Sequence, residues 1–253
     1  MSTPVAVLLS YRLGGSDGVA VEAAKWEWAL RELGLVTRRV AGEFDDAARP
    51  DDTCLPFLAI DADATTAPEP AAVEAALAGA DLVVVENLCS LPLNRAATEA
   101  ATRALHRFAG RVLLHHHDLA AERPELGLGS DPPPALPGAL HVTISEHARS
   151  TLARQGISAV AIRNAFDTTL PVGDREQTRA RFGFAPVELV VLQPTRAIPR
   201  KGIAAGLGLV ERLDAALDAT PSYWLTGPAE DGYAPVLDDI LGANRRSASN
   251  PPP

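Results

Sequence analysis

The chain of 253 residues has two cysteines, Cys54 and Cys89, too far apart and too isolated for a metal-ligand spacing or a disulfide framework. Both are read as buried free thiols of a reducing compartment. No apolar run reaches the about 18 residues that cross a bilayer. Val5 to Leu9, the apolar stretch nearest the start, is strand length and lacks the basic flank of a secretion signal. A cytoplasmic location is the expectation, with room for peripheral contact with a membrane surface, which needs neither signal. Positive charge is also scarce: 23 Lys and Arg against 32 Asp and Glu leave a formal charge of -9. That balance excludes sequence-independent nucleic-acid binding, which requires a net basic surface. Any anion must therefore be bound locally. No Gly-x-Ser-x-Gly turn or Ser/His/Asp ordering supports a nucleophilic hydrolase. The first glycine loop lacks the Gly-x-Gly-x-x-Gly spacing, and no acidic residue clearly ends the second strand, so an oxidoreductase is set aside.

What is present is an ordinary globular composition, 47% apolar and 22% charged, with short apolar runs alternating with helical stretches. Val5–Leu9 reads as a buried strand, followed by Gly14, Gly15 and a helix from Val19 to Leu33. Strands are expected at 35–40, 55–60, 81–85, 112–117, 140–144 and 159–162. Helices are expected at 71–77, 94–108 and from Ser145 to Arg154. This alternation predicts an α/β fold with a parallel sheet covered on both faces. The Pro-rich stretch from Asp131 to Gly138 reads as a loop inside the first domain. The turn-rich segment from Asn164 to Asp174 reads as a hinge. Residues 1–170 then form a Rossmann-like N-terminal domain and 171–242 a partial second one, with a helix at 175–182, strands at 188–193 and 223–226, and helices at 202–217 and 233–241. Residues 243–253 lack apolar periodicity and are expected to be disordered.

In open parallel sheets, ligands bind beyond the carboxyl ends of the strands, so the residues that follow each strand are the candidates. The densest signal is Pro194-Thr195-Arg196-Ala197-Ile198-Pro199-Arg200-Lys201-Gly202. This loop carries three cations between a buried strand and a helix start, where unpaired N–H groups add to the positive field. It is a seat for a phosphate or diphosphate, with Arg196 and Lys201 as its cations. Gly14 and Gly15 can let the backbone approach an anionic ligand closely, or can simply form a tight turn. His115, His116, His117 and Asp118 end another strand. His115 and His117 share one face and His116 the other, so the triplet by itself cannot hold a metal. His115 and His116 read as packed, whereas His117 and Asp118 stand where the strand leaves the sheet and can act on a substrate hydroxyl. Asn87, His147 and Asn164 are further candidates for substrate contact, and Ser145 reads as a helix N-cap.

Taken together, Gly14-Gly15, Ser145-Glu-His-Ala-Arg-Ser150, Ile162-Arg-Asn164-Ala-Phe-Asp167 and Pro194-Thr-Arg196-x4-Lys201-Gly202 resemble the GT-B glycosyltransferases of family 4, over nearly all of residues 5–241. The resemblance implies two Rossmann-like domains and transfer of a hexose, with retention, from a nucleoside-diphosphate sugar to an acceptor the sequence does not identify. It implies that Arg196 and Lys201 grip the donor diphosphate, that Gly14 and Gly15 approach it, and that His117 stands near the transferred sugar. It implies no cofactor and no divalent metal. The family's pair of glutamates spaced eight apart has no counterpart after Lys201, since Glu211 and Glu230 lack that spacing. The second domain therefore reads as truncated and activity as impaired. Two other classes remain: a non-catalytic sugar-nucleotide or partner-binding module, with an exposed second-domain sheet edge for a partner chain, and a sugar-nucleotide epimerase.

Overall fold

In a computed structural model of the chain, the residues described are 3–47, 49–63, 67–218, 221–230 and 232–243. They divide into two compact units, Met1–Phe166 and Asp167–Pro253. The sequence expectation drew this line at residue 170.

The first unit is a seven-stranded sheet in the order β3-β2-β1-β4-β5-β6-β7. Every pairing in it is parallel. Its strands are β1 (Val5–Leu13), β2 (Val36–Phe44), β3 (Thr53–Cys54), β4 (Leu82–Glu86), β5 (Arg111–His116), β6 (Leu140–Thr143) and β7 (Val160–Ala161). The helices are α1 (Gly18–Glu32), α2 (Pro70–Leu77), α3 (Arg95–Arg107) and α4 (Glu146–Arg154). Three of them begin on an acceptor side chain. Asp17, Asn94 and Ser145 each accept from backbone N–H groups of the first turn, which satisfies donors the helix leaves unpaired.

Side-chain alternation along the central strands explains why both sheet faces are covered. Val7 and Leu9 pack with Val83, Val85 and Leu114 against the alanines of α3, Ala97, Ala100, Ala101 and Ala104. Ala6 and Leu8 face the other way, toward Leu30 and Ala23 of α1. A face of alanines lets α3 lie close to the sheet, while Trp26 fills the larger gap under α1.

The structure departs from the sequence expectation at several elements. β1 continues four residues beyond Leu9, because Tyr11 turns inward and its hydroxyl donates to the carbonyls of Leu88 and Leu91 at 3.1 and 3.0 Å. The expected strand at 55–60 is instead the short β3 followed by a 3-10 turn at Pro56–Leu58, since Pro56 has no N–H for a ladder. Cys89 is buried as expected but Cys54 is exposed.

The second unit holds α5 (Arg175–Arg181), β8 (Val190–Gln193), α6 (Ile203–Ala216), β9 (Ser222–Leu225) and α7 (Ala234–Ala243). Among its described residues the sheet is one parallel pair, β8 with β9. Its core is Ala197, Ile203, Leu207, Val210, Tyr223 and Tyr233. The segment expected to be disordered lies outside the described residues from 244 onward. No helix among the described residues is long and apolar enough to cross a membrane.

Candidate functional site

In the first unit the carboxyl ends of β4 and β5 lie side by side, with Glu86 opposite His115 in the register. Glu86 is fully buried. Its Oε2 accepts from His115 Nδ1 and from His117 Nε2, both at 2.8 Å. The two imidazoles reach one oxygen because residues two apart on an extended chain share a face, and their ring centroids are 4.3 Å apart. Trp26 of α1 packs on His115 with centroids 4.7 Å apart. Burial by itself would raise the Glu86 pKa, but the hydrogen bonds and charges of the two histidines outweigh it and the net shift is downward. Glu86 Oε1 and His115 Nε2 are sealed from solvent without a hydrogen-bond partner.

His116 points to the opposite face. Its Nδ1 meets Ser90 Oγ at 2.6 Å and its Nε2 meets His141 Nδ1 at 3.0 Å. Burial, followed by repulsion from the neighbouring histidines, lowers its pKa to about 3, so the ring is neutral near pH 7. His115 is buried as expected but not satisfied at Nε2, and His116 is bonded at both nitrogens.

Asn87, expected to contact substrate, has another duty. It is in the left-handed region at φ 61, and its Oδ1 accepts from the backbone N–H groups of His117 and Asp118 at 3.1 and 3.0 Å. It is a staple that fixes where β5 ends. Asp118 is held by Arg123 Nη1 at 2.9 Å. His117, 9% exposed, makes no hydrogen bond through Nδ1 among the described residues, and that atom is not among the sealed ones. His147 is in the first turn of α4, its side chain 77% exposed and its Nε2 3.5 Å from Glu122. Asn164 lies near the end of this unit with a sealed, unpartnered Oδ1 and no hydrogen bond to His117, Asp118 or Asn87.

Gly14 and Gly15 have a structural reason unrelated to an anion. A Cβ on Gly14 would lie 2.0 Å from Asp46 Oδ1, and one on Gly15 would lie 2.4 Å from Asp45 Oδ2. Asp17 stands in the same loop and already caps α1. Arg39 neutralises part of this charge through Asp46 and Asp52, at 2.9 and 2.6 Å. Arg12 lies 3.3 Å from both Asp17 and Asp45, so the carboxylates beside the two glycines are paired with arginines and the start of α1 is already capped.

The loop after β8 has the opposite character. Ala197 and Ile198 are buried anchors, and Ala197 exchanges backbone hydrogen bonds with the neighbouring loop, donating to Pro228 at 2.8 Å and accepting from Glu230 at 3.1 Å. That close approach requires Gly227, where a Cβ would lie 2.5 Å from the Thr195 carbonyl oxygen. Arg196 Nη1 lies 2.6 Å from Glu230 Oε2. A 3-10 turn at Pro199–Lys201 leads to Gly202 at φ 65, and no side chain caps α6. Arg200 and Lys201 are exposed and have no ion pair among the described residues. Pinned backbone, exposed cations and an uncapped helix start suit a bound anion.

The sequence reading singled out the cations but missed two parts of this frame. Glu230 was weighed only for a spacing it lacks, and Gly227 carried no signal beyond being a glycine after a strand. Glu86, His115 and His117 form a set whose ligand atoms lie within 4.8 Å of one another, the carboxylate coming from the strand next to the histidine run. The residue types suit zinc, while the two 2.8 Å contacts are of hydrogen-bond length.

No family model matches the chain. It is similar to the mannosylglucosylglycerate synthase of Thermotoga maritima, 28% identical over 251 residues, covering 83% of this chain and 57% of that protein. It is also similar to the enzyme of the same name from Petrotoga mobilis, at 25% identity over 244 residues, with 80% and 55% covered. The chain thus spans little more than half the length of these curated relatives. Among solved structures, a glycosyltransferase from Rickettsia africae aligns over 97% of this chain and 66% of its own, with TM-score 0.56 and 13% identity. An alpha-glucosyltransferase in complex with UDP and a mismatched DNA aligns over 96% and 60%, with TM-score 0.55 and 13% identity. These likenesses show the fold, which is of the GT-B type.

Proposed function

We propose that this chain carries the first domain and part of the second domain of a retaining glycosyltransferase, which moves a hexose from a nucleoside-diphosphate sugar to an acceptor without a divalent metal. The observation that carries the reading is the loop from Thr195 to Gly202. It places a braced Arg196, an exposed Lys201 and the uncapped start of α6 directly after β8. Charge-assisted hydrogen bonds contribute about 1.5–3 kcal/mol each, so two cations and a helix end can hold a diphosphate and stabilise it as it departs. The relatives named mannosylglucosylglycerate synthase support sugar transfer as the reaction class. In this reading His117 and Asp118 serve the sugar and acceptor from the first unit.

The described part of the second unit supplies only a two-stranded sheet beyond that grip. Calorimetric titration with UDP, GDP and their hexose conjugates tests the reading. Binding in the presence of EDTA, lost in Arg196→Ala and weakened in Lys201→Ala, is the expected result. Binding that ignores both substitutions, or that requires added Mg²⁺, overturns it.

A further inference from the structure

The proton position on His117 is set by a residue with no place in the sugar-transfer reading so far. We propose that Glu86 is a positioning residue, assisted by His115, which fixes His117 with its proton on Nε2 and so makes Nδ1 the only atom through which His117 can exchange a proton or a hydrogen bond with substrate. The consequence for catalysis rests on the proposed function; the tautomer itself does not.

An ionised carboxylate only accepts hydrogen bonds. With His117 Nε2 at 2.8 Å from Glu86 Oε2, that nitrogen must carry hydrogen whether the ring is neutral or charged. His115 donates to the same oxygen from Nδ1 at 2.8 Å and is backed by Trp26, which prevents the carboxylate from turning away. The neighbouring residue on β4's exit, Asn87, holds the His117 and Asp118 backbone. The imidazole is thus pinned at its ring by Glu86 and at its main chain by Asn87. Its Nδ1 is left unbonded and unsealed, whereas the two partnerless atoms of its neighbours, Glu86 Oε1 and His115 Nε2, are sealed from solvent.

The arrangement is costly in a way that packing does not explain. Glu86 is fully buried and its Oε1 has no partner, and His115 Nε2 is sealed and unpartnered as well. Buried groups left unsatisfied are disfavoured, and an apolar trio of similar size would fill the space without that penalty. Orienting the one histidine of the trio that reaches the surface is a sufficient reason to retain it. The tautomer also sets the direction of chemistry: a proton taken from an acceptor hydroxyl would arrive at Nδ1, and the resulting positive charge would be balanced by Glu86 through Nε2.

The test uses the full chain labelled with ¹⁵N-histidine and a long-range ¹H–¹⁵N correlation spectrum recorded at a pH where free histidine is neutral, about pH 8. His117 is expected to show a protonated Nε2 and an unprotonated Nδ1. Glu86→Gln removes the negative charge and adds an amide NH2 donor that can pair with an unprotonated ring nitrogen, and His117 is expected to shift to a mixture of tautomers. Glu86→Asp, which keeps the charge, is expected to retain the Nε2–H form at least in part. A wild-type His117 protonated at Nδ1 overturns the proposal. So does an Nε2–H pattern unchanged in Glu86→Gln, or stoichiometric bound zinc whose removal alters the His117 signals. The wild-type spectrum decides the matter even if a variant fails to fold. Where hexose transfer is measurable, Glu86→Gln is expected to lower kcat at least tenfold with the donor KM changed less than threefold. A wild-type chain that binds no nucleotide sugar would sink the functional reading while leaving the tautomer result intact.

Discussion

Arg196 and Glu230, 34 residues apart in the chain, are joined by a 2.6 Å contact between guanidinium and carboxylate. The pair ties the loop after β8 to the loop after β9 and leaves the guanidinium partly buried, with side-chain exposure of 16%. A cation held this way is pre-oriented, and its carboxylate partner opposes the approach of any anion to the same guanidinium.

That opposition gives the first prediction. Glu230→Gln keeps a hydrogen-bonding partner and removes the negative charge, so affinity for UDP or GDP should rise about threefold to tenfold, equivalent to about 0.7–1.4 kcal/mol. Arg196→Ala should lose at least as much. Calorimetry on the two variants checks both, and weaker binding by Glu230→Gln would show that the carboxylate orients more than it repels.

Gly227 sets how closely the two loops approach. A Cβ there meets the Thr195 carbonyl and the Arg196 backbone within 2.7 Å, and backbone does not swing aside as a flexible side chain does. Gly227→Ala should cost about 1–3 kcal/mol by overpacking and weaken diphosphate binding by displacing Arg196. Urea unfolding measures the first effect. A variant as stable as the parent would mean that the loops are free to separate.

His116 predicts a sensitivity to mild acid. Its folded pKa, about 3, lies below the ordinary 6.5. Its contribution is therefore whole above pH 6.5 and declines as pH falls toward the folded value. Between pH 7 and pH 5 this one group should remove about 2 kcal/mol of stability. His116→Gln should flatten that part of the profile. Identical slopes in parent and variant would show that His116 takes up a proton in the folded state.

Asn87 combines a left-handed backbone with two accepted N–H bonds. Asn87→Ala should lose about 1–3 kcal/mol, and Asn87→Gly should recover only the backbone share of that loss. Recovery to parental stability by glycine would show that the side-chain staple is dispensable.

Much of the architecture was legible because the signals are local. Apolar runs such as Leu82–Glu86 and Arg111–His116 stand in the structure close to where their composition places them, and Asp17, Asn94 and Ser145 announce helix starts through chemistry confined to a single turn. The stretch after Thr53 was misread because an apolar run of six residues does not distinguish a strand from a turn that Pro56 enforces. Gly14 and Gly15 were noticed for their flexibility, but what fills the space beside them, Asp45 and Asp46, comes from the end of another strand.

Periodicity and charge within short segments suffice for the alternation of strand and helix, the parallel sheet of the first unit, and the cationic loop from Arg196 to Lys201. Which partners those residues meet depends on the folded arrangement. Register brings Glu86 under His115 and His117, the close passage at Gly227 brings Glu230 to Arg196, and the turn after β2 brings carboxylates to the glycine loop. A strand's own sequence sets the direction its side chains face, but the chemistry of a site depends on the neighbour across the ladder, and that neighbour is chosen by the fold.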